Sequence, residues 1–294
     1  MSRQFAQTYE LAPDGPPPWT WERYESFLQS SWGALLASEP TESEVHRFLE
    51  SHPCMLPGGE GGTDSIGGHH GPVPNAVVSE PELPGLRRPR PDFLWLTFLS
   101  SEIRPVLIEI EDPSKRWFNG SGNQSADLTQ ALGQLYEWRA WLDSEANRLN
   151  FYERYEVDSY VRRHHVFKPV LALIYGRRSE FASDPDLSKK RGAARPADVE
   201  WSTFDRLAPL AAARRSVTCR VTVDGWTVTS VPPTFVLGPS SAHTIVRMTG
   251  WETAIAVNPL IGDDRKAFLT SRLDYWREWA SQEKKGSYRP NDLE

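Results

Sequence analysis

Residues 104–118 read RPVLIEIEDPSKRWF: a hydrophobic run that ends on two glutamates, an aspartate and a proline. In an extended strand, side chains alternate between faces, so Ile108 and Ile110 share one face and Leu107, Glu109 and Glu111 the other. Same-face neighbours lie about 6.6 Å apart at a rise of about 3.3 Å per residue, close enough for both carboxylates to reach one small cation. The plainer reading is a strand face that meets water.

Immediately upstream, RRPRPDFLWLTF (87–98) is a second strand-like run, joined to the first by LSSE (99–102). The pair predicts a β-hairpin. A turn centred on Ser100 and Ser101 sets Asp92 opposite Glu109, unless Pro105 lengthens the loop and shifts the register. Three carboxylates would then converge on an oxygen-rich pocket suited to Mg²⁺ or Mn²⁺.

Helices are expected on either side. WERYESFLQSSWGALLA (21–37) follows an arm ending in PPP. TESEVHRFLESHP (41–53) has Thr41 as N-cap, Glu44 three residues on, an apolar stripe of Val45, Phe48 and Leu49, and Pro53 as its stop. PGGEGGTDSIGGHHGPVPN (57–75) predicts a mobile loop, whose His69 and His70 are more simply solvated than metal-bound. DLTQALGQLYEWRAWLDSE (127–145) predicts a helix with Leu128, Leu132, Leu135 and Leu142 along one side and Gln130, Gln134 and Trp138 on the neighbouring one. FKPVLALIYGRR (167–178) predicts a buried strand, and DVEWSTFDRLAPLAA (198–212) a short strand leading into a helix. VTCRVTVDGWTVTSVPPTFVL (217–237) predicts a hairpin around Asp224 and Gly225, and DRKAFLTSRLDYWREWA (264–280) a final amphipathic helix. Helix, hairpin, helix, strand, strand, helix is the order of an α/β core.

The 294 residues, 39% of them hydrophobic, suffice for a substantial core. No apolar run reaches the roughly 18 residues of a membrane span, and the N-terminus lacks the layout of a signal peptide, so a cytoplasmic location is expected. Cys54 and Cys219 are the only cysteines and form no paired metal spacing; two reduced thiols are expected. The net charge of −6 argues against a uniformly basic nucleic-acid binder. Its distribution is uneven: residues 1–60 hold nine acids and three bases, whereas 161–200 hold nine bases and five acids. The twelve tryptophans are scattered, which favours core packing over base stacking.

RPDF followed, 17 residues after its aspartate, by EIE on a hydrophobic strand resembles the PD-(D/E)xK nuclease motif. ESEVHRFLESHPCML, RPRPDF, LIEIEDP, QALGQLYEW, LALIYGRR and DVEWSTFDRL, in that order, resemble the Shedu family of anti-phage defence nucleases over residues 41 to about 210. The resemblance implies a restriction-endonuclease-like core of a mixed central sheet flanked by helices (41–212). An N-terminal arm and helix (1–40) would precede it and a small α+β extension (213–294) follow. It implies Mg²⁺ or Mn²⁺ as cofactor, DNA as substrate, a homo-oligomer and a phage-derived trigger.

Carried over residue by residue, Asp92 and Glu109 match the metal-binding acids, Gln134 the glutamine of the helix behind the site, and Glu44 an acid on the first helix that completes the metal shell. Glu111 stands where the motif has lysine; in an E-x-E version such a glutamate serves as ligand or general base. Lys115, four residues on, could supply the missing ammonium group or contact phosphate. Arg87, Arg88, Arg90, Arg177 and Arg178 are candidate DNA phosphate contacts, and Arg162, Arg163, His164 and His165 form the densest basic group. The expectation is a metal-dependent endonuclease or nickase in antiviral defence. The alternative is a nuclease fold that binds DNA ends or structures without cutting.

Overall fold

A computed structural model of the chain describes residues 7–59, 66–68, 70–85, 90–282, 288–289 and 291–294. Arg87, Arg88 and His69 lie outside the described residues. The elements run α1 (Trp21–Ala37), α2 (Glu42–Ser51), β1 (Pro72–Ser79), β2 (Phe93–Leu99), β3 (Glu102–Ile110), α3 (Ala126–Asp143), α4 (Glu145–Arg154), α5 (Ser159–His164), β4 (Val166–Phe167) and β5 (Val170–Ile174). They continue through α6 (Ser179–Ala182), α7 (Pro185–Ala194), β6 (Val199–Ser202), β7 (Val217–Thr222), β8 (Gly225–Ser230), α8 (Pro239–Arg247), β9 (Met248–Thr249), α9 (Trp251–Val257) and α10 (Asp263–Ser281). The strands form one mixed sheet in the order β6-β5-β3-β2-β1-β7-β8-β9, with β4 also pairing to β3. This is an α/β fold of the restriction-endonuclease-like kind.

The β2–β3 hairpin has the expected register, Leu99 pairing with Glu102 and Phe93 with Ile108 around the Ser100–Ser101 turn. Pro105 does not shift it. It pairs with Leu96 across the hairpin, and on its other side β4 and β5 pair with β3 on either side of it, Ile103 with Phe167 and Val106 with Val170. The missing N–H of Pro105 thus falls where the neighbouring strand is itself interrupted, at Lys168–Pro169. Alternation then sorts the core into two layers. Leu94, Leu96, Ile103, Leu107, Leu171 and Leu173 pack with Leu128, Ala131, Leu135 and Trp138 of α3. Phe93, Trp95, Val106, Ile108 and Ile110 pack with Tyr24, Leu28 and Trp32 of α1 and with Val45 and Leu49 of α2.

Two expectations are corrected. The glycine-rich loop ends sooner than residue 75, because Pro72–Ser79 form β1, a central strand between β2 and β7. Its prolines sit where the β1–β2 pairing is irregular, between Pro72 and Val77, so they cost few ladder bonds. The helix expected after β6 is absent: Phe204–Arg206 and Ala211–Ala213 are single 3₁₀ turns. Pro209 between them removes a donor and turns its predecessor away from helical geometry.

The C-terminal hairpin joins the main sheet, β7 running parallel to β1 from Ala76↔Val217 to Val78↔Cys219. The N-terminal arm reaches α10, where Tyr9 packs edge-on to Trp279 at 5.7 Å. Trp95, Trp117, Trp138, Trp251, Trp276 and Trp279 are fully buried, as core tryptophans should be. Both cysteines are free and buried, and burial pushes the Cys54 thiol up to about 12. Among the described residues, no helix is long and apolar enough to cross a membrane.

One glycine ties the sheet to its chemistry. Gly176, just beyond β5, has φ +60°, and a Cβ there would meet the Lys115 carbonyl and Trp117 Nε1, each at 2.8 Å. Gly176→Ala should therefore lower stability by about 1–3 kcal/mol, through left-handed strain and overpacking, read as a lower urea midpoint at unchanged slope.

Candidate metal centre

Asp92 is held by backbone on three sides. Its N–H donates to Ile108 O (3.0 Å), its carbonyl accepts from Glu80 N–H (2.8 Å), and its Oδ2 accepts from Ile110 N–H (2.8 Å). The hairpin register, carried one step beyond Phe93↔Ile108, sets Asp92 against Glu109. Glu109 and Glu111 are both buried, each 7% exposed, so the solvated-face reading fails.

The segment after β3 folds back on itself. Glu111 N–H donates to Ile174 O (3.1 Å), extending the β3–β5 pairing by one residue. Asp112 then makes a tight turn, its Oδ1 accepting from Ser114 N–H (2.8 Å) and its carbonyl from Lys115 N–H (3.0 Å). The turn returns Lys115, whose Nζ pairs with Glu111 Oε2. Lys115 therefore reaches the carboxylate end of the strand despite Pro113.

Burial raises the Asp92 carboxyl to about 7; the Ile110 N–H works against this, while the charges of Glu42 and Glu111 add to it. Glu109 is raised well above the usual carboxylate range by burial, then by the charges of Asp92 and Glu111 and a hydrogen bond to Asp92. Two acids this close share a proton rather than both ionise. Glu109 Oε2 is buried without a hydrogen-bond partner, and so is Gln134 Oε1 on α3, the helix that covers the Glu109 face of the sheet. Lys115 is the local cation: burial lowers its pKa, but the bond and charge of Glu111 outweigh that and raise it.

Glu44 has other work. Its Oε2 accepts from Thr41 N–H and Thr41 Oγ1, both at 2.8 Å, completing the capping box that starts α2. Those bonds hold its carboxyl below the usual range. The acid that α2 turns toward the centre is Glu42, raised by partial burial and by Glu111, with Lys115 opposing. One turn on, His46 stacks on Phe93 (4.7 Å, 19°), and its Nε2 lies 3.7 Å from Asp92 Oδ1. Burial, first of its causes, lowers the His46 pKa and favours the neutral ring. Sequence reasoning missed both; their i, i+4 spacing on α2 was the available signal.

The donor set is rich in hard oxygen atoms, and the unpartnered Glu109 and Gln134 oxygens, with an acid pair that resists ionisation, fit a divalent cation. As the side chains stand, however, among the described residues no three His, Cys, Asp or Glu are grouped so as to hold a metal ion. Lys115 neutralises one of the acids instead.

A cleft of about 540 Å³ adjoins Lys115 and is lined by Arg116, Arg177 and Glu180. Arg177 is fastened in place, its Nε donating to Asp205 Oδ1 (3.0 Å) and its Nη1 to Leu36 O (2.8 Å). Arg178 lines a separate pocket, and Arg90 pairs with Glu82 at 3.2 Å. Arg162 and Arg163 lie on α5, before β4 and so at the opposite end of the sheet from Glu109 and Glu111. His165 follows that helix, and its ring Nδ1 meets Val161 O at 3.1 Å.

A mixed sheet with buried acids at the end of its central hairpin defines a restriction-endonuclease-like α/β protein. The family model described as "Shedu protein SduA, C-terminal" matches residues 39–208, and the chain belongs to this family, which is implicated in anti-phage defence. Comparison with curated proteins gave no match.

The acid pair has a pH signature. Unfolded Asp and Glu titrate near 4, so the folded, metal-free chain binds more protons from about pH 4 to about 7 and loses stability as pH rises through that window. Glu109→Gln removes the pair. Measured in chelator, its melting temperature relative to wild type should rise by at least about 2 °C between pH 5 and pH 8. A difference that stays constant with pH would contradict the buried pair.

Proposed function

We propose that the protein is a Mg²⁺- or Mn²⁺-dependent DNA endonuclease or nickase of anti-phage defence. One observation carries this reading: a half-buried Asp92 faces a buried Glu109 across a hairpin, with a Glu109 oxygen that no protein group satisfies. Family membership supplies the setting.

Asp92 and Glu109 would hold the ion, with Glu42 or Glu111 and the Gln134 carbonyl oxygen as further donors. When bound, it would supply a water nucleophile of lowered pKa and charge stabilisation at a phosphodiester. The remaining roles belong to the chain. Lys115, kept as an ammonium group by Glu111, is a donor and a positive charge rather than a base, and so suits the charge that builds on phosphate oxygens. Glu111 is the better proton acceptor, at Oε1 or Oε2 once Lys115 swings to the phosphate. Arg116 and Arg177 line the cleft through which a strand would pass.

A second reading, a DNA-binding sensor without turnover, is favoured by the Lys115–Glu111 pair and by the lack, among the described residues, of an assembled group of three metal-holding side chains. It predicts salt-sensitive DNA binding with no cutting in any metal.

Supercoiled plasmid incubated with Mg²⁺, Mn²⁺ or chelator separates the two. Metal-dependent nicking or linearisation is expected, abolished by Asp92→Ala or Glu109→Ala; uncut plasmid under every condition would leave the sensor reading. The α2 acids give a finer check. Glu42→Gln should reduce cutting, whereas Glu44→Gln, whose amide oxygen can still accept the Thr41 N–H of the capping box, should leave both cutting and the melting temperature nearly unchanged. The reverse result would restore Glu44 to the centre.

A further inference from the structure

Beyond the carboxyl ends of β5 and β6 lies a second cavity, of about 420 Å³. Arg178, Arg191 and Arg206 line it, together with Thr203 and Ser188, and no carboxylate does. Three cations around one cavity repel each other unless something negative joins them.

Nearby acids are committed elsewhere. Asp205 accepts from Arg177 Nε (3.0 Å) and from the Arg178 backbone N–H (2.6 Å). Glu180 accepts the Trp117 and Phe118 N–H groups at 2.9 and 3.1 Å. Asp184 caps α7 through the Asp186 and Leu187 N–H groups, each at 3.0 Å. Among the described residues, none of the three arginines has an ion-pair partner.

The inner part of the cavity is underbonded as well. The Arg191 guanidinium lies over the Trp117 ring at 4.5 Å and the Phe181 ring at 5.3 Å, which gives it packing but few hydrogen bonds. Its Nε is buried without a partner, and Thr203 Oγ1, on a residue 1% exposed, is likewise unsatisfied. Such groups are normally bonded, so the lining suits a ligand with several acceptor oxygens and negative charge. Guanidinium forks match a phosphoryl group, and three of them favour a dianion over a single carboxylate.

We propose that Arg178, Arg191 and Arg206, with Thr203, form a phosphate-binding pocket distinct from the carboxylate centre, taking the phosphoryl group of a nucleotide. The cavity also has room for a nucleoside beside the ring of Phe181. β3, β5 and β6 are parallel, so the pocket opens at the same end of the sheet as Glu109 and Glu111, where open α/β sheets bind ligands. The nucleotide is either free or part of a nucleic-acid strand.

Isothermal titration of the full chain in chelator, with inorganic phosphate, adenosine monophosphate and a single-stranded 20-nucleotide DNA, tests this. The variant Arg178→Gln/Arg206→Gln alters only the exposed rim, so folding is preserved, as circular dichroism will confirm. Wild type should bind phosphate, and the variant at least tenfold more weakly. A monophosphate that binds at least tenfold tighter than phosphate assigns the pocket to free nucleotide. A salt-dependence slope for the 20-mer that falls by about 0.7 in the variant, one phosphate contact fewer, assigns it to a strand. If wild type and variant bind all three probes alike, or bind none, the proposal is wrong. Because neither metal nor turnover enters, this failure would leave the carboxylate reading intact, and an uncut plasmid would leave the pocket intact.

Discussion

The structure depends on one hairpin register. The Ser100–Ser101 turn pairs Leu99 with Glu102, and every later pair follows by counting. A slip of one residue would turn Glu109 into the layer of Tyr24, Leu28 and Trp32 and send Ile108 toward α3. The strand therefore has one acceptable pairing. That pairing places a buried glutamate across from a half-buried aspartate, and burial together with the charges of neighbouring acids raises both carboxyl pKa values.

The cost is visible in the surroundings. Ile110 donates its backbone N–H to Asp92, Lys115 returns to Glu111, and Gly176 leaves room for the segment that carries Lys115. Each device supplies a donor, a cation or space, yet a Glu109 oxygen still goes unbonded. A fold optimised for stability alone would put an apolar residue there; polar groups kept buried against that preference are what the proposed metal centre requires.

Positive charge is arranged in a different way. The arginines of residues 161–200 do not form one surface. Arg162 and Arg163 lie at the amino end of β4, Arg177 is pinned to Asp205, and Arg178 joins Arg191 and Arg206 around their own cavity. A charge run in sequence was thus divided by the β4–β5–β6 segment among three places with different partners.

The sequence by itself determined the strand faces, the hairpin and its turn, the capping box of α2, and the pairing of Asp92 with Glu109. These depend on alternation, turn length and spacings of a few residues, which are local. It also carried the family pieces from ESEVHRFL to DVEWSTF, within the span that the family model matches. Tertiary structure decided the rest. Glu44 satisfies both the capping-box pattern and an acid position near the centre, and only packing shows that the cap claims it while Glu42 and His46 face Asp92. Strand β1 was hidden because its prolines argue for a loop until the irregular pairing that tolerates them is seen. The joining of β7 to β1, the return of Lys115 and the gathering of Arg178, Arg191 and Arg206 likewise escaped reading. Each depends on where distant segments pack, and no local periodicity encodes that.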